Sequence, residues 1–214
     1  SIIIATSQDQ PEYEMTLEYI PAKDHEPGSM RPVWDYPQKS RWSDVYGNPI
    51  NAHGEDKLKA MIPEVPHTYA YTRRMFGVMN EHQLSTVMAT LSGMNLSELL
   101  LNDHTKIRMT ELTYLAMERA TTAREALDVV TSIAEQLGFK SEEFPGKSIA
   151  IADKEEVWLL SMVEPGPFWT PESGEPGAIW VAQRLPDDHI GFVPNGFTIG
   201  VVDFDDPENF RYSS

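Results

Sequence analysis

Cysteine is absent from the 214 residues. That excludes a disulfide, a thiolate zinc site and a cysteine nucleophile within this stretch. Positive charge is scarce: 17 Lys and Arg stand against 33 Asp and Glu, for a formal charge of −16. Such a surface repels phosphate backbones and anionic lipid, so neither nucleic acid nor a membrane is an expected partner. No apolar run approaches the ~18 residues that a membrane-crossing helix needs. The phosphate-cradling patterns GxGxxG and GxxxxGK[ST] are missing, as is the GxSxG of the hydrolase elbow. The histidines are His25, His53, His67, His82, His104 and His189, and they form neither HExxH nor a close pair on one helix face. The acidic stretch from Asp203 to Glu208 lacks the glycine and the bidentate glutamate of a calcium loop, and reads as a solvated turn. None of these patterns supports a metal site or a bound nucleotide.

What is present is ordinary for a soluble globular chain: 41% hydrophobic and 23% charged residues, enough for one domain with a real core. The chain opens on Ser1 and an apolar run, Ile2 to Ala5, that reads as a short buried strand. It starts without Met or a signal-like segment and ends at Ser214 without a helix stop. Both ends read as cut, so a single domain truncated at both ends is expected, and the compartment stays open. Residues 7–66 are dense in Pro, Asp, Gly and Asn. Apart from a strand over residues 15–20, they read as a long irregular excursion whose aromatics pack it back on the body, over a site.

Residues 67–72, 75–79 and 84–91 are rich in Thr, Tyr, Phe and Val and predict three strands, with Asn80 to Gln83 as a turn. Helical spacing predicts one helix over residues 106–119. A second begins at the capping box Thr122-Ala123-Arg124-Glu125 and ends at Gly138. The two should lie side by side on a sheet. Strands follow at 148–152, 157–162, 178–183, 189–193 and 197–204, with Asp153 to Glu156 as a tight turn. Strands, a helix pair, then strands again describe an α+β layered fold rather than a βαβ repeat.

Four polar residues invite chemistry. Ser1 at a chain terminus could attack with its own amine as base, or could simply be where the stretch was cut. Asp9, Asn80 and Asn195 sit beside strands, where Asp and Asn are favoured both as turn formers and as active-site groups.

Several segments together resemble one family. SIIIATSQD (1–9), MNEHQ (79–83), SIAIADKEEVW (148–158) and WVAQRLPDD (180–188) are similar to the dipeptidase A-type family of N-terminal-nucleophile cysteine peptidases, related to the secernins. Pro194-Asn195, Asp203 to Asp206 and the ERATTAREAL helix start continue the likeness. The resemblance implies a four-layer αββα sandwich and hydrolysis of dipeptides or small amides without a cofactor. It implies a terminal cysteine, upstream of Ser1, whose α-amine is the base. It assigns Asp9 to orienting the nucleophile, Asn80 to the oxyanion hole and Asn195 to the place beside the nucleophile. Arg184 is assigned to substrate binding or to pairing with Asp187 or Asp188. The expected partner is a small peptide substrate; homo-oligomer formation is left open. Three departures stand out. Thr6 replaces an Arg, Val87 a Gly, and Met88-Ala89-Thr90 a Glu-Thr-Thr. They leave open a silent homologue that serves as a binding module; the Asp and Asn arrangement also leaves open a related acyl-amide hydrolase.

Overall fold

The computed structural model describes residues 2–6, 17–35, 57–74, 77–91, 102–141 and 146–214. The strands are β1 (Glu18–Ile20), β2 (Lys23–Asp24), β3 (Met30–Asp35), β4 (Lys57–Pro63), β5 (His67–Thr68), β6 (Tyr71–Arg73), β7 (Gly77–Asn80) and β8 (Ser85–Leu91). Helices α1 (Met109–Arg119) and α2 (Ala123–Leu137) follow, then β9 (Gly146–Ala152), β10 (Val157–Val163), β11 (Ile179–Arg184) and β12 (Phe210–Tyr212). One sheet has eight strands in the order β1-β6-β7-β8-β9-β10-β11-β12. All its neighbours are antiparallel. Strands β8 and β9 pair directly although both helices lie between them in the chain. This is the α+β arrangement that the order of sequence patterns implied.

The helices cover one face. Successive strand residues point to opposite sides, and Met88, Ile149 and Leu160 are cross-strand partners in one row on the helix side. They join Ile151, Trp158, Leu115, Leu127 and Val130 in a single buried core. The α2 capping box is formed: Glu125 N–H donates to Thr122 Oγ1 at 3.2 Å, and Thr122 N–H donates to Glu125 Oε2 at 3.3 Å. Asp153, in the turn after β9, accepts from Ala123 N–H at 2.7 Å and so ties that turn to the start of α2. At the far end Gly138 has φ +77, and a Cβ there would sit 2.5 Å from the Trp169 ring. Both facts demand glycine.

Five expectations change. Helix α1 begins at Met109, not Lys106, because the backbone of Lys106 and Ile107 is engaged with residues 137–140, including a bridge from Ile107 to Phe139. Residues 2–5, 189–193 and 197–204 have no regular secondary structure and pair in no ladder, with Ile3, Phe192 and Val201 largely exposed. Strand propensity is realised only by pairing, and these segments pair with no strand among the described residues. The stretch read as an irregular excursion contains the β3–β4 ribbon, whose Val33 and Ile62 are buried. Ser1, Asp9 and the remainder of that stretch, 7–16 and 36–56, lie outside the described residues.

The ribbon is locked to α1 and not to a site. Arg31 donates to Glu111 at 2.8 Å and to Glu118 at 2.9 Å, and Tyr71 Oη donates to Glu118 at 3.1 Å. Trp34 N–H also reaches Glu111, whose other oxygen is buried without a hydrogen-bond partner among the described residues. Burial therefore pushes the Glu111 carboxyl from 4.5 up to about 7, against the pull of Arg31. A carboxyl raised on folding adds stability that is complete below its unfolded value near 4.5 and is lost as pH rises through about 7. Glu111→Gln should therefore flatten the fall in melting temperature between pH 5 and pH 8. The wild type should lose up to roughly 3 kcal/mol more than the variant over that window. Parallel pH profiles of the two proteins would contradict the assignment.

Candidate active-site cleft

The other face of the sheet carries a cleft. Val87, Ala150 and Leu159 are register partners on β8, β9 and β10, and form a buried row on that side. Ile4 and Val193 pack over the row, so residues 2–6 and 185–195 become the walls. Between them lies a space of about 1250 Å³. Gly191 lets the second wall lie close, since a Cβ there would already stand 3.2 Å from Leu159.

The cleft has two different ends. Thr90 is opposite Lys147 and Ser85 is opposite Ala152, so the ends are five residues, or about 17 Å, apart along the strands. At the Ser85 end the rim is charged, with Lys154, Glu155, Asp187 and His189. At the Thr90 end it is polar and neutral, with Thr6, Thr90 and Asn195. Asn195 Nδ2 donates to the Thr90 carbonyl at 3.0 Å. Its second N–H has no partner among the described residues, and the side chain is exposed to the cleft. Thr90 is itself pinned by the buried Lys147, which donates to Thr90 Oγ1 at 2.9 Å.

The sequence-predicted residues do not all converge here. Asp9 lies outside the described residues. Asn80 is buried at the end of β7 and does not line the cleft. Its amide donates to the carbonyls of Met117 and Ala120, at 3.1 and 2.8 Å, and its oxygen accepts from His82 and Leu84 N–H. Both donors are thus committed, and the side chain joins the hairpin to the end of α1. Arg184 stands behind the charged rim. It donates to Glu156 at 3.0 Å and to Asp187 at 2.7 Å, so the pairing with Asp187 is present. Burial raises the Glu156 carboxyl, but the bonds from Arg124 and Arg184 outweigh it and hold the group below its usual range. Met88 packs in the helix-side core, so the side chains facing the cleft from this part of β8 are Val87 and Ala89.

The apolar floor was missed as a site feature. Its signal was the alternation in SIAIA and VWLLSM, which gives these strands one residue set for each face.

The model of peptidase family C69 matches residues 58–214. The chain belongs to that family. The curated relatives it resembles include "Probable dipeptidase B" of Streptococcus pyogenes serotype M1, 25% identical over 181 residues, which is 82% of this chain and 32% of the relative. "Dipeptidase A" of Lactobacillus helveticus is 35% identical over 66 residues, 31% of this chain and 11% of the relative. "Probable dipeptidase" of Latilactobacillus sakei is 30% identical over 99 residues, 46% of this chain and 18% of the relative. The chain spans about a third of the length of the Streptococcus pyogenes relative. The resemblance seen in WVAQRLPDD and its companions is therefore a family membership.

Arg184 has a measurable structural share. Its Glu156 partner is mostly buried and Asp187 is exposed, with side-chain exposures of 12% and 81%. Arg184→Met should lower stability by about 1–2 kcal/mol in urea denaturation, and Asp187→Asn by less than half of that. Equal losses would show that the rim pair, not the Glu156 bond, carries the effect.

Proposed function

We propose that this chain forms the substrate cleft of a dipeptidase that hydrolyses short peptides through an N-terminal nucleophile. The observation that carries the reading is Asn195. A peptidase-family chain holds an anchored amide with one open N–H at the neutral end of a cleft. Such a donor suits the negative charge that develops on a carbonyl oxygen under attack.

The chain has no cysteine, so in this reading the attacking thiol comes from polypeptide outside the 214 residues. Its own α-amine, with an ordinary pKa near neutrality, takes the thiol proton and returns it to the leaving amine. Asp9 orients that terminus. Asn195 holds the oxyanion, and Asn80 braces the hairpin from behind unless one of its carbonyl bonds opens. Arg184 acts through Glu156 and Asp187 by shaping the rim. A second sheet laid over the cleft face would complete the αββα sandwich. The large exposures of Ile3, Phe192 and Val201 support a further covering layer.

The silent-homologue reading keeps support from Thr6 on the cleft wall, where the resemblance expects Arg, and from Ala89 on its floor, where the resemblance expects Thr. Met88 no longer supports it, because that side chain belongs to the helix-side core. In the complete gene product, Asn195→Ala should lower kcat/KM on a dipeptide panel by about 10²–10³ with the melting temperature unchanged. Unchanged turnover would remove Asn195 from the chemistry. No turnover by the wild-type product would favour the silent reading.

A further inference from the structure

The cleft is polar at its ends and apolar in its middle, and the middle has a dent. Ala150 lies between Val87 and Leu159 in the cross-strand row, so a methyl group is flanked by two branched side chains. All three side chains face the cleft and form one apolar cluster, with Ile4, Val157 and Val193 packed against it. The row is three residues from the Thr90–Lys147 pair, so the dent lies about 10 Å from the carbonyl that anchors Asn195. A peptide carbonyl held at Asn195 would place the end of a long side chain near that dent, and the end of a short one short of it.

Electrostatics point the same way. The protein carries 33 acidic against 17 basic residues, and Glu155, Glu156 and Asp187 line the cleft at its charged end, where Lys154 and His189 stand among them. An acidic substrate side chain would meet mostly like charge at the rim and, among the described residues, no hydrogen-bond donor in the row Val87, Ala150 and Leu159. A polar side chain would lose water without a partner, which is the costlier error in an apolar pocket. An apolar side chain gains roughly 25 cal/mol for each Å² it buries there.

We infer that Ala150 is a specificity-determining residue, and that the residue on the acyl side of the scissile bond is a long apolar one, such as Leu, Met or Phe. The inference rests on the dipeptidase reading for its orientation. The dent, though, is a property of the floor whichever group attacks.

The test uses the complete gene product and two readouts, turnover and calorimetric binding, with Leu-Ala, Phe-Ala, Gly-Ala, Asp-Ala and Lys-Ala. Leu-Ala and Phe-Ala should be preferred over Asp-Ala and Gly-Ala by at least about tenfold, the usual reach of an apolar pocket. Ala150→Val adds bulk in a side chain that strands accept. It should weaken Leu-Ala and Phe-Ala about tenfold or more and leave Gly-Ala within about threefold. Leu159→Ala enlarges the dent and should shift the preference from Leu-Ala towards Phe-Ala. A Lys-Ala preference over Leu-Ala, or the same selectivity in both variants as in the wild type, would overturn the inference. Apolar-selective binding that Ala150→Val abolishes, with no turnover of any peptide, would support the floor assignment while removing the dipeptidase reading. No binding of any of the five would overturn both.

Discussion

The two-sided burial of β9 is the constraint on which the rest depends. Every residue from Gly146 to Ala152 is buried. A strand in that position needs apolar cover on both faces, and the chain provides it unequally. On one side stand two helices with a continuous core. On the other are segments without regular structure, residues 2–6 and 185–195. The helix face supplies the larger share of stability, at roughly 1.5–3 kcal/mol for each fully buried aliphatic side chain. The opposite face is where a space remains. Close approach reinforces the geometry: a Cβ at Gly146 would stand 2.1 Å from the Met162 carbonyl, so β9 and β10 run together only with glycine there.

Charged groups then tie the cleft to the helix layer. Glu156, at the cleft's charged end, accepts from Arg124 on α2 and from Arg184 on β11. Arg124 also reaches Glu208, and the Arg124 and Arg211 guanidinium groups lie 5.3 and 5.6 Å from the Trp158 ring. Asp153 does the same work beside them, shaping its own turn through Glu155 and Glu156 N–H and capping α2 through Ala123. The rim is therefore not a free loop. Its position follows from where α2 starts.

Local chemistry was the legible part of the sequence. The capping box at Thr122, the stop at Gly138 and the turn at Asp153 each follow from side-chain and backbone preferences within a few residues. The strands flanking the helix pair were legible because their apolar alternation is strong. The ribbon was not, because Pro32 and Pro63 lie inside it and its burial comes from α1, 80 residues away through Arg31 and Glu111. The apolar stretches at 2–5 and 197–204 misled for the converse reason: they have strand composition and pair with no strand among the described residues. Asn80 and Asn195 show the limit for sites. Both sit at strand ends in the sequence, yet one has every donor committed to the α1 terminus and the other keeps an N–H facing the cleft. Only tertiary contacts separate them.

In this account Asn195 and the floor row form one unit, a fixed donor at one end and an apolar dent within reach of it. The most direct measurement is a crystal structure of the complete gene product with a non-hydrolysable Leu-Ala analogue. The account predicts the analogue in the cleft between residues 2–6 and 185–195. Its acyl oxygen should lie within hydrogen-bond distance of Asn195 Nδ2, with the leucine side chain over Ala150. An analogue bound elsewhere, or in the cleft with Asn195 out of contact, would contradict it.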